Sequence, residues 1–224
     1  MDRLHRIKLL IGESAVKKLQ QSTVMVVGCG AVGSFAIESL ARCGIGHLIL
    51  IDFDTVEKSN INRQLFALDS TIGKSKVDMA KQRIADINPN IIVDVFNIFF
   101  DENTVLNVKP DFVIDAIDSV QSKVALYKWC FDNNIPFISS MGAARKTDLS
   151  KIRIDKISKT TVCPLASKIR HIIRELKLKD FPVVYSTESA TPQLNSGHEF
   201  GSIITVTGCF GLMLSDFVIK KLIS

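Results

Sequence analysis

Thr23-Val24-Met25-Val26-Val27-Gly28-Cys29-Gly30-Ala31-Val32-Gly33 is the stretch that decides the fold. Its first five residues carry no charge and stop at glycine, which is how a strand buried on both faces of a parallel sheet reads. Glycines spaced G-x-G-x-x-G follow, and Val32 to Cys43 carries helical spacing. Such a turn lets the backbone approach a ligand, and its N–H groups and the helix dipole attract phosphate. Alone, the motif is weak, because a tight turn with no ligand reads the same way. Its context strengthens it. The next strand, His47 to Ile51, ends at Asp52, where a ribose-binding carboxylate belongs.

Outward from that point, strands and helices alternate. Leu9 to Leu19 reads as an opening helix with Leu9, Leu10, Val16 and Leu19 as its apolar points. Gly73 to Ile87 reads as a helix ending before Pro89. Ile91 to Val95 and Asp111 to Ile114 read as strands, Val120 to Phe131 as a helix and Pro136 to Ser140 as a further strand. This order predicts an α/β, Rossmann-like, doubly wound and mainly parallel sheet with helices on both faces. Beyond Met141 lies a C-terminal extension. Lys151 to Asp155 alternates like a half-exposed strand. Pro164 to Lys177 reads as a helix with Leu165, Ile169, Ile172 and Leu176 as its apolar stripe. Ser186 to Phe200 is rich in Ser, Thr, Gly, Pro and Asn and reads as a loop. Ile203 to Leu222 reads as a closing helix in which Gly208 and Gly211 allow close packing. The expected organisation is one domain over residues 1–224, with a nucleotide-binding core at 1–140 and a basic substrate-side extension and closing helix at 141–224.

Composition sets the class. In 224 residues, 46% are hydrophobic and 23% charged, as in an ordinary globular chain, which excludes disordered, collagenous and coiled-coil classes. The five cysteines form no CxxC pair, which argues against structural zinc. Free thiols and an N-terminus without a long apolar core suggest a cytoplasmic protein. The longest uncharged apolar stretch, Gly201 to Ser215, is shorter than the roughly 20 residues of a membrane span and reads as a core helix.

The glycine motif alone would fit a nicotinamide oxidoreductase or a non-catalytic nucleotide-binding scaffold. Residues 52–64, Asp-Phe-Asp-Thr-Val-Glu-Lys-Ser-Asn-Ile-Asn-Arg-Gln, point to a third reading. An ATP site that expels pyrophosphate needs cations, because charge builds on the phosphates as the bond to the α-phosphorus breaks. Arg63 and Lys76 would supply them, and Asp118, just past the fourth strand, could hold Mg²⁺. The plainer alternatives are solvated surface charges for Arg63 and Lys76 and a helix cap for Asp118.

Five motifs together resemble the bacterial adenylating branch of the ubiquitin-activating-enzyme superfamily. They are Gly28-x-Gly30-x-x-Gly33, Asp52-Phe53-Asp54-x-Val56, Asn60-x-x-Arg63-Gln64, Gly73-Lys74-Ser75-Lys76 and Asp115-Ala116-Ile117-Asp118, and the likeness runs from Arg6 to about Lys221. The resemblance implies ATP over the glycine loop and adenylation of a carboxylate, with Asp54 among the nucleotide-binding residues. Asp52 would hold the ribose; Asn60, Arg63, Gln64 and Lys76 would contact phosphates; Asp118 would take the metal. Arg6 matches the arginine that a partner subunit inserts in this family, which implies a homodimer. Sulfur-carrier adenylyltransferases of the superfamily often have two CxxC pairs that are absent here, and the usual Asp-Asn is Asp118-Ser119. The runs Ser140-Met141-Gly142-Ala143, Ile152 to Thr160 and Val162 to Ala166 look more like the tRNA threonylcarbamoyladenosine dehydratase subfamily, which cyclises a modified adenosine in tRNA. A sulfur-carrier adenylyltransferase remains the alternative, and a cysteine desulfurase or sulfur-acceptor system a further candidate partner.

Charge distribution bears on the substrate. The whole chain is +5, yet Met141 to Asp180 holds eleven Lys and Arg against four acids. A concentrated basic face suits a polyphosphate backbone, although a solvated surface would look similar. Lys168, Arg170, Arg174 and Lys177 are the candidate tRNA contacts. Cys163, just before Pro164 at an expected helix N-terminus, is a candidate reactive thiol, against the commoner reading of a buried cysteine.

Overall fold

The computed structural model describes residues 2–192 and 200–224. Its centre is a seven-stranded sheet in the order β3-β2-β1-β4-β5-β7-β6. The strands are β1 Thr23–Val27, β2 His47–Ile51, β3 Ile92–Phe96, β4 Phe112–Asp115, β5 Phe137–Ser140, β6 Ile152–Lys156 and β7 Pro182–Ser186. Every pairing is parallel except that of β6 with β7. β1 lies between β2 and β4, so the chain reverses its direction of winding at the glycine turn, and ligands in open α/β sheets bind at such a crevice.

Among the described residues the α-helices are α1 His5–Ile11, α2 Glu13–Gln21, α3 Gly33–Cys43, α4 Lys76–Ile87, α5 Val120–Asp132, α6 Pro164–Glu175 and α7 Ile204–Ile223. They cover both faces. One apolar core holds Ile37 and Leu40 of α3, Val77 and Ile84 of α4, and Phe210 and Leu214 of α7. The other holds Leu126 and Tyr127 of α5 with Ala166, Ile169 and Ile173 of α6. The glycines of α7 serve the first core: a Cβ on Gly211 would sit 2.3 Å from the carbonyl oxygen of Val32, the residue that caps α3, and 3.0 Å from the Ala36 nitrogen, so α7 lies against α3 at backbone distance. Among the described residues no helix is long and apolar enough to cross a membrane.

Four expectations need correction. The opening helix is two helices, broken at Gly12 (φ 85°), because α1 turns away before α2 buries Val16 and Leu19. Leu9 and Leu10 are therefore surface residues, 71% and 83% exposed. α4 begins at Lys76 rather than Gly73, since Gly73 and Lys74 are bonded back to Val56 and Ser75 bridges Thr55. On α6 the buried stripe is Ala166, Ile169 and Ile173, and Leu176 faces outward at 40% exposed. β7 was not anticipated, and its last residue, Ser186, lies in the stretch read as a loop. It is a short apolar run that starts on Pro182, a position proline tolerates in a strand. The rest of that loop falls partly outside the described residues.

Candidate functional site

The sheet edge formed by the ends of β1, β2, β4 and β5 opens on a cavity of about 540 Å³. The glycine turn forms its floor. Gly28 has φ 94°, and a Cβ there would sit 2.6 Å from the Ala116 carbonyl oxygen, so the turn and the loop after β4 touch at backbone distance. Gly28 and Gly30 line the cavity, whereas Gly33 does not. A Cβ on Gly33 would overlap the Gly28 carbonyl, so Gly33 closes the turn instead of meeting a ligand. Among the described residues the backbone N–H groups of Gly30, Ala31 and Val32 meet no acceptor at the start of α3. Groups of that kind at a helix N-terminus bind anions.

Asp52 stands at the end of β2 and is buried. Its Oδ2 accepts the Cys29 N–H at 2.6 Å and its Oδ1 the Asp54 N–H at 2.9 Å. Burial pushes its carboxyl above the ordinary range, against the opposing pull of these N–H groups and of Lys76. The carboxylate thus fixes the glycine turn from behind while lining the cavity.

Lys76 is not a solvated charge. It is 6% exposed, and its Nζ lies 2.7 Å from Asp54 Oδ2. The Asp54 side chain is 45% exposed, so this ion pair is sealed on one side and open on the other. The backbone explains the pairing: Lys76 N–H donates to the Asp54 carbonyl and Val56 N–H to that of Lys74. Arg63 is half-buried, with Nη1 donating to Ser59 O at 2.7 Å and to Asn62 Oδ1 at 2.9 Å. Arg63, Gln64, Asp54 and Lys76 all line the cavity. Asn60 does not; its Oδ1 accepts the Glu57 N–H at 3.2 Å and shapes the turn that presents Arg63.

Asp118 reaches the cavity from the loop between β4 and α5 and is exposed. It is not spent as a cap: the α5 cap is Ser119, whose Oγ accepts the Ser122 N–H at 3.5 Å. Among the described residues there is no cluster of three His, Cys, Asp or Glu able to hold a metal. A single carboxylate still suits Mg²⁺, which takes one or two protein carboxylates and fills its sphere with phosphate oxygens and water.

Behind Asp118 lies a network that the sequence reading missed. Asp115 and Lys123 are both 0% exposed, with Nζ 2.7 Å from Asp115 Oδ2. Ser139 Oγ and Tyr127 OH donate to the same oxygen, at 2.5 and 3.0 Å. Asp115 Oδ1 accepts the Ile117 N–H at 3.0 Å, and Lys123 Nζ donates to the Ser140 carbonyl at 2.7 Å. These bonds hold two cavity walls, the loop carrying Asp118 and the end of β5. A lysine eight residues after an aspartate has no distinctive pattern on a helix, so no sequence signal marked it.

The other candidates lie elsewhere. Arg6 is exposed on α1, away from the cavity lining. Cys163 is 3% exposed, packed so that a Cβ on Gly142 would lie 3.6 Å from its Sγ. Lys168, Arg174 and Lys177 are exposed on and just after α6, whereas Arg170 donates to Thr160 O at 2.9 Å and to its Oγ1. Leu165, in the first turn of α6, lines the cavity, so the basic helix starts at its rim.

The ThiF family model matches residues 2–224. The chain is 45% identical over 193 residues to the tRNA threonylcarbamoyladenosine dehydratase of Bacillus subtilis, covering 84% of this chain and 76% of that protein. The crystal structure of the Escherichia coli tRNA N6-threonylcarbamoyladenosine dehydratase in complex with ATP superposes with a TM-score of 0.92 at 36% identity, covering 98% of this chain and 93% of that one. Likeness to the Escherichia coli molybdopterin-synthase adenylyltransferase, 39% identity, extends over 56% of this chain and 51% of that protein.

Proposed function

This chain belongs to the ThiF family, and we propose that it is an ATP-dependent dehydratase acting on tRNA. It adenylates the carboxylate of N6-threonylcarbamoyladenosine and cyclises the side chain with loss of water. The observation that carries the reading is the convergence of Lys76, Arg63 and Asp118 on one cavity with the glycine turn. A redox dinucleotide needs no such cations, whereas a triphosphate that loses pyrophosphate does. The relatives named as tRNA threonylcarbamoyladenosine dehydratases, and the ATP complex of the Escherichia coli one, support the same reading.

ATP is consumed here as a co-substrate. A carboxylate oxygen attacks the α-phosphorus, the bond to the β-phosphate oxygen breaks, and pyrophosphate leaves with the electron pair. Lys76 exchanges Asp54 for phosphate oxygens, and Arg63 adds a second positive group. Both act where negative charge develops. Asp118 would hold Mg²⁺, which when bound neutralises phosphate charge. The free N–H groups at the start of α3 orient the phosphates, and Asp52 takes the ribose hydroxyls. A nucleophilic atom of the carbamoyl group then attacks the activated carboxyl carbon, closes a five-membered ring, loses its proton and expels AMP. The nucleophile is tethered to its target, and such reactions carry a large effective molarity. No cysteine is required, which fits the burial of Cys163.

The exposed Lys168, Arg174 and Lys177 form the tRNA-facing surface, and α6 leads from them to the cavity rim. The working unit is a homodimer in the cytoplasm; exposed Leu9 and Leu10 beside Arg6 support self-association through α1. The sulfur-carrier alternative is weakened by the shorter span of its likeness. Incubation with ATP, Mg²⁺ and threonylcarbamoylated tRNA, followed by mass spectrometry of the nucleosides, tests the proposal. The expected product is lighter by one water. Pyrophosphate exchange that depends instead on a small protein ending in Gly-Gly would replace this reading with the sulfur-carrier one.

A further inference from the structure

Phe200 sets an aromatic ring at the cavity and leaves it open. The residue is 60% exposed and lines the 540 Å³ space. One face of the ring is backed by Arg145, whose guanidinium carbon lies 5.8 Å from the ring centroid. Arg145 is itself fixed. Its Nε donates to the Thr191 carbonyl at 2.7 Å, its N–H donates to the Gly201 carbonyl at 2.9 Å, and its own carbonyl accepts the Thr191 N–H at 3.0 Å. It holds φ 60°, a left-handed conformation uncommon for any residue but glycine. Such strain persists only where the surroundings impose it, and it clusters at ligand clamps. The arginine therefore orients the ring without covering its second face.

The cavity carries aromatic groups at two ends. Phe53 and Phe99 follow β2 and β3, whereas Phe200 stands by the segment after β5, because its neighbour Gly201 is bonded to Arg145. Four strand spacings separate β3 from β5 in the sheet order, about 19 Å, with the glycine turn of β1 midway. Asn62, next to Arg63, donates to the Ser202 carbonyl at 3.1 Å, so the Phe200 segment runs past the arginine assigned to the triphosphate. The proposed reaction has two adenine rings to hold. One belongs to ATP; the other belongs to the modified adenosine, whose carboxylate hangs a few bonds from the exocyclic nitrogen. With Asp52 on the ribose, the ring of ATP falls on the β2–β3 side. The β5 side is left for the second ring. Bases drawn out of an RNA stack are held by stacking on aromatic side chains.

We infer that Phe200 is the platform on which the adenine of the modified tRNA nucleoside stacks, with Arg145 as the positioning residue behind it. The inference rests on the dehydratase reading above and names the subsite for that substrate's base.

Three variants of the full chain test it: Phe200→Ala, Phe200→Leu and Phe200→Trp. Mass spectrometry reads kcat/KM for dehydration of threonylcarbamoylated tRNA, and calorimetry reads ATP affinity. Phe200→Ala should lower kcat/KM about 5- to 150-fold, the worth of one base stacked on an aromatic ring. Phe200→Trp should keep most of the activity and Phe200→Leu should not, with ATP affinity level in all three. Threonylcarbamoylated tRNA, added with a non-hydrolysable ATP analogue, should also quench the introduced indole of Phe200→Trp beyond any change at Trp129, the single tryptophan of the unaltered protein. Unchanged kcat/KM in Phe200→Ala overturns the inference and leaves the dehydratase reading standing. Full activity of Phe200→Leu overturns it too, since the ring would then be a plain apolar contact. A changed oligomeric mass of Phe200→Ala in light scattering does the same, because it places the ring between copies of the chain. Absence of dehydration by the unaltered protein removes the dehydratase reading, and this inference with it.

Discussion

Two buried lysines flank β1, and they are built for opposite ends. On the β2 side, Lys76 is paired with an aspartate whose side chain is 45% exposed. On the β4 side, Lys123 is paired with an aspartate at 0% exposed, and Ser139, Tyr127 and the Ser140 carbonyl complete the shell. Both distances are 2.7 Å, so separation alone does not distinguish them. What differs is whether the partner faces a cavity. Lys76 can trade its carboxylate for a phosphate; Lys123 has nothing to trade for and serves as a strut beneath the site. A buried charge next to a pocket is therefore read by the openness of its partner, not by its own burial.

Chemical denaturation should break or uphold this contrast most sharply. Lys123→Met strips a sealed carboxylate of its counter-charge and should cost about 3–5 kcal/mol of stability. A loss below about 1 kcal/mol would make the two pairs equivalent. Lys76→Ala should do the reverse. Its adenylation kcat/KM should fall about 10²–10³-fold, as for loss of a group that meets developing charge. Its stability should stay within about 1 kcal/mol, because the Asp54 left behind reaches water.

Asp52 sharpens the comparison through pH. Asp52→Asn should weaken ATP binding by about 1.5–3 kcal/mol, the worth of hydrogen bonds to a charged group. Burial raises the folded-state pKa of Asp52 above 3.8, so the folded state keeps its proton longer than the unfolded chain does. The resulting penalty is absent below pH 3.8 and grows until the raised pKa is passed. Stability of the unaltered protein relative to Asp52→Asn should therefore fall as pH rises through that window; a rise would contradict the assignment. The smallest effect is expected outside the cavity. Lys168→Glu with Arg174→Glu should weaken tRNA binding roughly tenfold and flatten its salt dependence by about 0.9 per phosphate contact, with ATP affinity unchanged in a filter-binding and calorimetric comparison.

The legible parts of the molecule are those in which local sequence and tertiary role coincide. β1, β2 and α3 follow from an apolar run and three glycines; Gly28, Gly30, Asp52 and Asp118 share one cavity because each stands just past a strand end, and Arg63, Gln64 and Lys76 reach it from the connection between β2 and α4. The illegible parts depend on distant partners. β7 is a run of three apolar residues after a proline, and it becomes a strand only between β5 and β6. The burial of Leu165, Ile172 and Leu176 was misjudged because the orientation of α6 is set by the core it meets, where Ala166 and Ile173 proved better placed. Lys123 stands on a helix whose spacing gives it no mark, and only the fold shows that it is sealed against Asp115.

The central claim is that the pocket at the exit of β1 takes a triphosphate and meets its charge with Lys76. Calorimetric titration of the unaltered protein and of Lys76→Ala with ATP and with NAD, in magnesium buffer, tests it most directly. The account predicts saturable heat from ATP, a large loss of ATP affinity in the folded Lys76→Ala variant, and no uptake of NAD. Saturable NAD binding with no binding of ATP would contradict it.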